Sequence, residues 1–200
     1  MEKKSVKNGV ALALFGVEDL RRIPTKTIVY VAMFAALDLV LTRVFRMMGL
    51  PFNFGFVSIS IASVMIGPIW VLITAFLSDL LGALLFPQGA YFPGYGLTAM
   101  LRALVLVLFF YNQSGLFMDL KQPWMEKAKP ILRIVLACVC FQIINLATLP
   151  LWDGMLSGKL ESYGLMFLRR LPGATIFLGV QVVTLVLIFH YIKPSMVKRL

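Results

Sequence analysis

The sequence predicts an all-α integral membrane protein with six transmembrane helices and both termini in the cytoplasm. Of the 200 residues, 60% are hydrophobic and only 14% are charged, whereas an average soluble domain has about 25% charged residues. The mean hydropathy of +0.89 is too apolar for a chain of this size to bury in water. Apolar stretches long enough to cross a bilayer recur along the chain. A soluble enzyme, a disordered protein and a disulfide scaffold are therefore excluded.

Three regions are predicted: a leader of residues 1–24, a membrane domain of residues 25–192 and a basic cytoplasmic tail of residues 193–200. The leader contains a short apolar run that is followed by Glu18 and Asp19. Because a secretory signal has small residues at its cleavage site, acidic residues there argue against cleavage. We therefore predict that the leader is an interfacial helix or a cytoplasmic arm.

The six spans differ in length and are joined by short connections. The second has about fifteen residues, so it crosses only if it is tilted, stretched or sheltered by its neighbours. A loop rich in turn formers, residues 87–94, follows the third span, and a polar loop, residues 112–130, follows the fourth. The spans are predicted at Thr25–Met47, Phe52–Ile66, Ile69–Phe86, Tyr95–Tyr111, Ile131–Leu151 and Leu165–Ile192.

The distribution of basic residues predicts the orientation. A net charge of +10 would suggest nucleic-acid binding in a soluble chain, but membrane proteins collect Lys and Arg in their cytoplasmic loops. With the N-terminus inside, thirteen of the nineteen Lys and Arg residues lie on the cytoplasmic side and five lie on the opposite side. Both termini are therefore predicted to be cytoplasmic, and no nucleic-acid partner is expected.

Charged side chains within the spans are the candidate functional residues, because each costs several kcal/mol in a membrane. They are Asp38, Arg43, Asp79, Arg102 and Arg169. Mutual pairing that holds helices together is the structural alternative. Two acids cannot pair with three arginines, so the surplus predicts a pocket that opens outward and accepts an anion. Arg170 is expected to point away from Arg169, since neighbours on a helix are about 100° apart.

Aromatic residues are frequent on the same side of the predicted bundle. Most of them fit the aromatic belt at a membrane interface. Tyr91 and Phe92 differ, because they lie in a loop shaped by proline and glycine. That loop is suited to cap a pocket, where the two rings would stack on a flat heteroaromatic ligand.

The motifs of ATPases and of common enzymes are missing from the sequence. There is no phosphate-binding loop, no HExxH zinc motif and no GxSxG nucleophile motif. Cys138 and Cys140 lie in an apolar run without metal-ligand spacing. No catalytic or metal-ligating residue is therefore predicted. An intramembrane enzyme that uses Asp38 and Asp79 is an alternative from a different class.

Alanines in the first span form a small-residue face. Ala32 and Ala36 are four residues apart, a spacing that lets another helix approach closely. Ordinary packing inside the bundle is the alternative interpretation.

Several motifs resemble the S-components of energy-coupling factor (ECF) transporters, and the loop before the fourth span is most similar to the folate-specific members. The motifs are Phe54-Gly-Phe-Val-Ser-Ile59, Ile66-Gly-Pro68, Ser78-Asp-Leu-Leu-Gly82, Phe86-Pro-Gln-Gly-Ala-Tyr-Phe-Pro-Gly94 and Leu97-Thr-Ala99. The resemblance implies a vitamin-capture subunit in a bacterial plasma membrane. It would work with a transmembrane coupling subunit and two cytoplasmic ATPases, which hydrolyse the ATP. No covalently bound cofactor is implied.

The resemblance also assigns roles to residues of this chain. The anionic tail or linker of folate would be bound by Arg43, Arg102 and Arg169. Its rings would be surrounded by Phe54, Tyr91 and Phe92, and the coupling subunit would contact the small-residue face of Ala32 and Ala36. The chain departs from the family in two ways: Asn53 stands where a basic residue is common, and the leader is longer. Another anionic or heterocyclic vitamin is therefore an alternative ligand.

Overall fold

The protein folds into a bundle of helices. The computed structural model describes residues 25–44, 47, 53–87, 91–111, 124–158 and 163–191, and among these residues there is no β-strand. The all-helical prediction is confirmed for this part of the chain. The predicted leader and tail lie outside the described residues.

Six α-helices follow one another along the described chain, at the positions of the six predicted spans. They are α1 (Thr25–Leu39, continued by a π-helical turn at Val40–Val44), α2 (Gly55–Met65), α3 (Pro68–Leu85), α4 (Pro93–Phe110), α5 (Trp124–Ser157) and α6 (Tyr163–Tyr191).

Five of these segments are long and apolar enough to cross a membrane, which supports a multi-pass membrane protein. The exception is α2, whose 11 residues extend only about 16 Å in a hydrocarbon core of about 30 Å. Six full crossings and cytoplasmic termini stay predictions.

Proline and glycine mark several helix boundaries. Pro68 and Pro93 lie at the first positions of α3 and α4, where the missing N–H is not needed for a helical hydrogen bond. The extended backbone at Ile66 and Gly67 ends α2 directly before Pro68. These residues separate α2 from α3 with a connection of only two residues.

The start of α5 corrects the sequence prediction. Residues 124–130 were expected to belong to a polar loop, but they form the first turns of α5. This segment is polar yet rich in good helix formers, so the helix extends beyond its apolar part. α5 also continues past the predicted end at Leu151 as far as Ser157.

The two ends of the bundle are built differently. At the end where α4 and α6 finish, Phe110 and Phe189 are fully buried with their ring centroids 5.2 Å apart. At the other end α1, α3 and α5 finish and α2, α4 and α6 begin. The charge distribution predicts that this second end faces outside, and it is named the outer end below. The candidate site lies there.

Candidate functional site

A cavity of about 750 Å³ opens at the outer end and is lined by residues from all six helices. This volume lies within the range of small-molecule sites, about 300–1,000 Å³. Among the described residues its lining contains three aspartates and three arginines: Asp38, Asp79, Asp153, Arg43, Arg102 and Arg170. The predicted arginine surplus is therefore wrong for this lining, because Asp153 adds a third acid. The cavity is highly charged but balanced.

Arg43 and Asp79 form an ion pair across the cavity wall. Arg43 Nη2 lies 3.6 Å from Asp79 Oδ1, and the two side chains are 16% and 18% exposed. Arg43 leaves the π-helical turn after α1 and crosses α3 directly over Gly82, where a Cβ atom would lie 2.7 Å from Arg43 Nε. The pairing expected as the structural alternative thus exists for these two residues, while both still line the cavity.

Asp38 is buried where α1, α2 and α3 meet. Its carboxylate accepts a hydrogen bond from Ser78 Oγ, and its backbone carbonyl accepts one from Thr42 Oγ1 at 2.8 Å. A Cβ atom at Gly55 would collide with Asp38 and Thr42. Asn53 Oδ1, in turn, accepts a hydrogen bond from the Gly55 N–H at 2.9 Å. This aspartate is held by neighbours on three helices and forms part of the cavity wall.

Arg102 reaches the deeper part of the cavity from α4. Its Nη1 donates to Asn145 Oδ1 at 3.3 Å, and its guanidinium lies 5.4 Å from the Phe141 ring centroid. Asn145 Nδ2 donates to Gln142 Oε1, and Gln142 Nε2 donates to Gln181 Oε1, both at 3.4 Å. The deep part therefore presents one guanidinium and two carboxamides beside an aromatic ring.

Asp153 connects three helices near the cavity mouth. Its carboxylate forms an ion pair with Arg170 of α6 and accepts a hydrogen bond from Tyr95 Oη of α4. The neighbouring Trp152 donates to Thr98 Oγ1 at 2.8 Å. This cluster links α4, α5 and α6 at this level of the bundle.

Sequence reasoning missed Asp153 because the fifth span was expected to end at Leu151. A signal was nevertheless available. Gln142, Asn145, Leu149 and Asp153 follow one another at intervals of three or four residues, so they share one face of a continuous helix. All four line the cavity.

The structure brings together three of the six predicted binding residues, Arg43, Tyr91 and Arg102. Phe54 and Phe92 do not line the cavity. The Phe54 ring lies beside Phe56, with centroids 6.2 Å apart, and the Phe92 ring beside Trp152, with centroids 5.6 Å apart.

Tyr91 keeps its proton at neutral pH. Burial, together with the Asp79 carboxylate, raises the pKa of this phenol above its ordinary value. The Tyr91 hydroxyl is thus available to the cavity as a hydrogen-bond donor.

The sequence predicts Arg169 in the cavity and Arg170 outside it, and the structure shows the reverse. Arg170 points into the cavity and contacts Asp153, whereas Arg169 is exposed and lies outside the lining. The argument that neighbouring side chains diverge holds, but the rotation of α6 about its axis, which the sequence did not fix, selects the second arginine.

The predicted small-residue face lies on the outside of the bundle. Ala32 and Ala36 are exposed on α1, beside exposed Met33, while Phe34 and Ala35 face the core. Packing among the described helices therefore does not account for the two alanines.

The comparisons with known proteins agree with this geometry. No family model matches the chain. A folate transporter FolT of Clostridium novyi is 29% identical over 160 residues, which are 78% of this chain and 84% of the relative. A second folate transporter FolT, from Leuconostoc mesenteroides subsp. mesenteroides, is 34% identical over 94 residues, 46% of this chain and 51% of the relative.

A solved structure shows the same fold. The crystal structure of FolT bound with folic acid superposes with a TM-score of 0.69 and 27% sequence identity, over 88% of this chain and 97% of that one. The sequence and fold comparisons confirm the resemblance to the folate-specific S-components. The chain is thus similar in sequence and in fold to folate transporters, and these relatives are membrane transport proteins rather than enzymes.

Proposed function

We propose that this chain is the S-component of an ECF-type importer and that it captures folate or a reduced folate from outside a bacterial cell. The outer-end cavity carries the proposal. It combines guanidinium groups, carboxamides and aromatic rings in a chain that shares its fold with a protein bound to folic acid.

The chemistry of the lining favours one direction for the ligand. Folate has a flat, uncharged pterin at one end and a glutamate with two carboxylates at the other. Asn145 lies eight residues before Asp153 on α5, which places it about 12 Å deeper. The carboxamides of Gln142 and Asn145, together with Arg102, match the hydrogen-bonding edge of a pterin. The pterin is therefore placed deep and the glutamate at the mouth, where charges cost less to bury.

Arg43 and Arg170 are placed to bind the glutamate carboxylates, although each already contacts an aspartate. A guanidinium has five N–H donors, and one aspartate uses two of them at most in a bidentate pair. The remaining donors are available to a ligand carboxylate. Tyr91 adds a hydroxyl donor beside Arg43 and Asp79.

The proposed partners are a transmembrane coupling subunit and two cytoplasmic ATPases, which would supply the energy for uptake. Ala32 and Ala36 support this part of the proposal. They form an exposed small-residue face on α1, and small residues let a partner helix pack closely within a membrane.

Another anionic or heterocyclic vitamin is the alternative ligand within the same class. The intramembrane enzyme is not retained as an alternative, because the relatives are transporters. In addition, Asp38 and Asp79 are engaged by Ser78 and Arg43.

A thermal-shift screen of the detergent-purified chain tests the proposed ligand. Folic acid and 5-formyltetrahydrofolate are expected to raise the Tm, because a ligand stabilises the native state by RT ln(1 + [L]/Kd). Biotin, riboflavin, thiamin and pantothenate serve as controls. A shift with one of these and none with folates would overturn the folate assignment and leave the vitamin-binding class. No shift with any vitamin, in folded protein free of copurified ligand, would overturn both.

A further inference from the structure

A second, shallow concavity lies at the outer rim between α5 and α6. Its volume is about 500 Å³, and it is lined by Asp153, Ser157, Met166, Arg169 and Arg170. Asp153 and Arg170 also line the main cavity. The two spaces therefore meet at this ion pair, and a ligand that projects from the mouth beside Arg170 enters the rim concavity next.

Arg169 supplies the uncompensated charge of the rim concavity. Its side chain is exposed, and its guanidinium forms no ion pair or hydrogen bond with another residue that the structure describes. The acid in the same lining, Asp153, is already engaged by Arg170 and Tyr95. Among the described residues the concavity thus offers one positive charge to an anion.

We propose that the rim concavity binds the second and later γ-linked glutamates of a polyglutamylated folate. This inference rests on the proposed function and specifies the substrate class of the same site. Each added glutamate brings one more carboxylate, and the chain of glutamates grows from the end of folate that lies at the mouth. Arg170 would hold the first glutamate, and Arg169 would bind a carboxylate of the next one.

The size of the effect follows from the exposure of Arg169. An ion pair in solvent contributes about 0.2–1 kcal/mol, which is about a 1.4- to five-fold change in Kd. Screening by salt weakens such a pair. We therefore expect a preference for longer glutamate tails that is small and depends on ionic strength.

Binding of folic acid and of pteroyltriglutamate to three detergent-purified proteins tests the inference. In the wild type, the triglutamate is expected to bind about 1.4- to five-fold more tightly. In Arg169→Gln the two ligands should bind equally, with the Kd for folic acid unchanged. Lys129→Gln removes an exposed charge from the opposite end of α5 and should keep the wild-type preference.

Four other outcomes would overturn the inference in distinguishable ways. Equal affinities for both ligands in the wild type, or an undiminished preference in Arg169→Gln, would show that the rim takes no glutamate. Weaker folic acid binding in Arg169→Gln would assign Arg169 to the main site. If neither ligand bound to any of the three proteins, the proposed function would itself fail.

Discussion

Glycines make the room in which the charged residues of the cavity lie. Gly55 faces Asp38, Gly82 lies under Arg43, and a Cβ atom at Gly96 would be 3.2 Å from Tyr91 Oη. A glycine inside a helix costs about 0.5–1 kcal/mol relative to alanine. At each of the three positions a methyl group would displace a cavity side chain, which explains the presence of glycine despite this cost.

Gly82→Ala is expected to weaken folate binding about five- to thirty-fold. The added Cβ would lie 2.7 Å from Arg43 Nε and would move the guanidinium away from the cavity, with the loss of about 1–2 kcal/mol of hydrogen bonding. Titration calorimetry measures the change. Gly179→Ala is the matched control, because its Cβ would meet no atom within 4 Å. Equal affinities of the two variants would contradict a role for Gly82 in placing Arg43.

Only some of the cavity residues could be predicted from the sequence, and there is a physical reason why the others could not. Arg43 and Arg102 could be found because a charge within an apolar span is costly. Asp153 and Arg170 could not be placed without the end of α5 and the rotation of α6. Both depend on tertiary packing rather than on local pattern.

The first helix presents two faces with different surroundings. Asp38 and Phe34 point toward the cavity and the core, whereas Ala32, Met33 and Ala36 are exposed. Lipid alone would not require small residues on the exposed face, since larger apolar side chains suit it equally well. A helix from another subunit would require them.

Ala36→Leu should leave folate binding unchanged and reduce uptake several-fold when the chain is assembled with its coupling partners. The larger side chain would hold the partner helix away from α1 but does not reach the cavity. Ala147→Leu, at an exposed position of α5, controls for added bulk toward lipid. Uptake of labelled folate into proteoliposomes, together with the Kd, measures both effects. Normal uptake by Ala36→Leu would remove this face from the proposed interface.

In the part of the chain that the structure describes, the number and order of helices could be predicted from hydropathy, whereas their ends could not. Hydropathy detects the part of a helix that lies in lipid, and α5 extends beyond its apolar part at both ends. α2 is shorter than the span of about fifteen residues that hydropathy predicts. The helix has 11 residues.

The two ends of the described bundle differ along its axis. The outer end opens into a charged cavity, whereas at the other end the rings of Phe110 and Phe189 are buried against each other. The proposed capture function fits this arrangement, because the ligand would reach its site from one side only.

Labelling with a membrane-impermeant maleimide tests the orientation. In a background where Cys138 and Cys140 are replaced by Ala, Ser157→Cys should react in intact cells, because Ser157 is exposed at the outer end of α5. Ala128→Cys, exposed at the other end of α5, should react only after the cells are permeabilised. The reverse pattern would invert the predicted topology.

The equal numbers of aspartates and arginines in the cavity have an electrical consequence. With all six side chains ionised, the part of the lining that the structure describes has no net charge, so a bound folate would keep the two negative charges of its glutamate. The inside-negative membrane potential opposes inward movement of such a complex by about 2.3 kcal/mol per charge for every 100 mV. An arginine surplus could offset this work in the inward step only, because the arginines move back with the empty protein and the net charge moved per cycle is that of folate. The proposed uptake of folate would therefore be electrically uphill, and the energy for it would have to come from a source other than the potential.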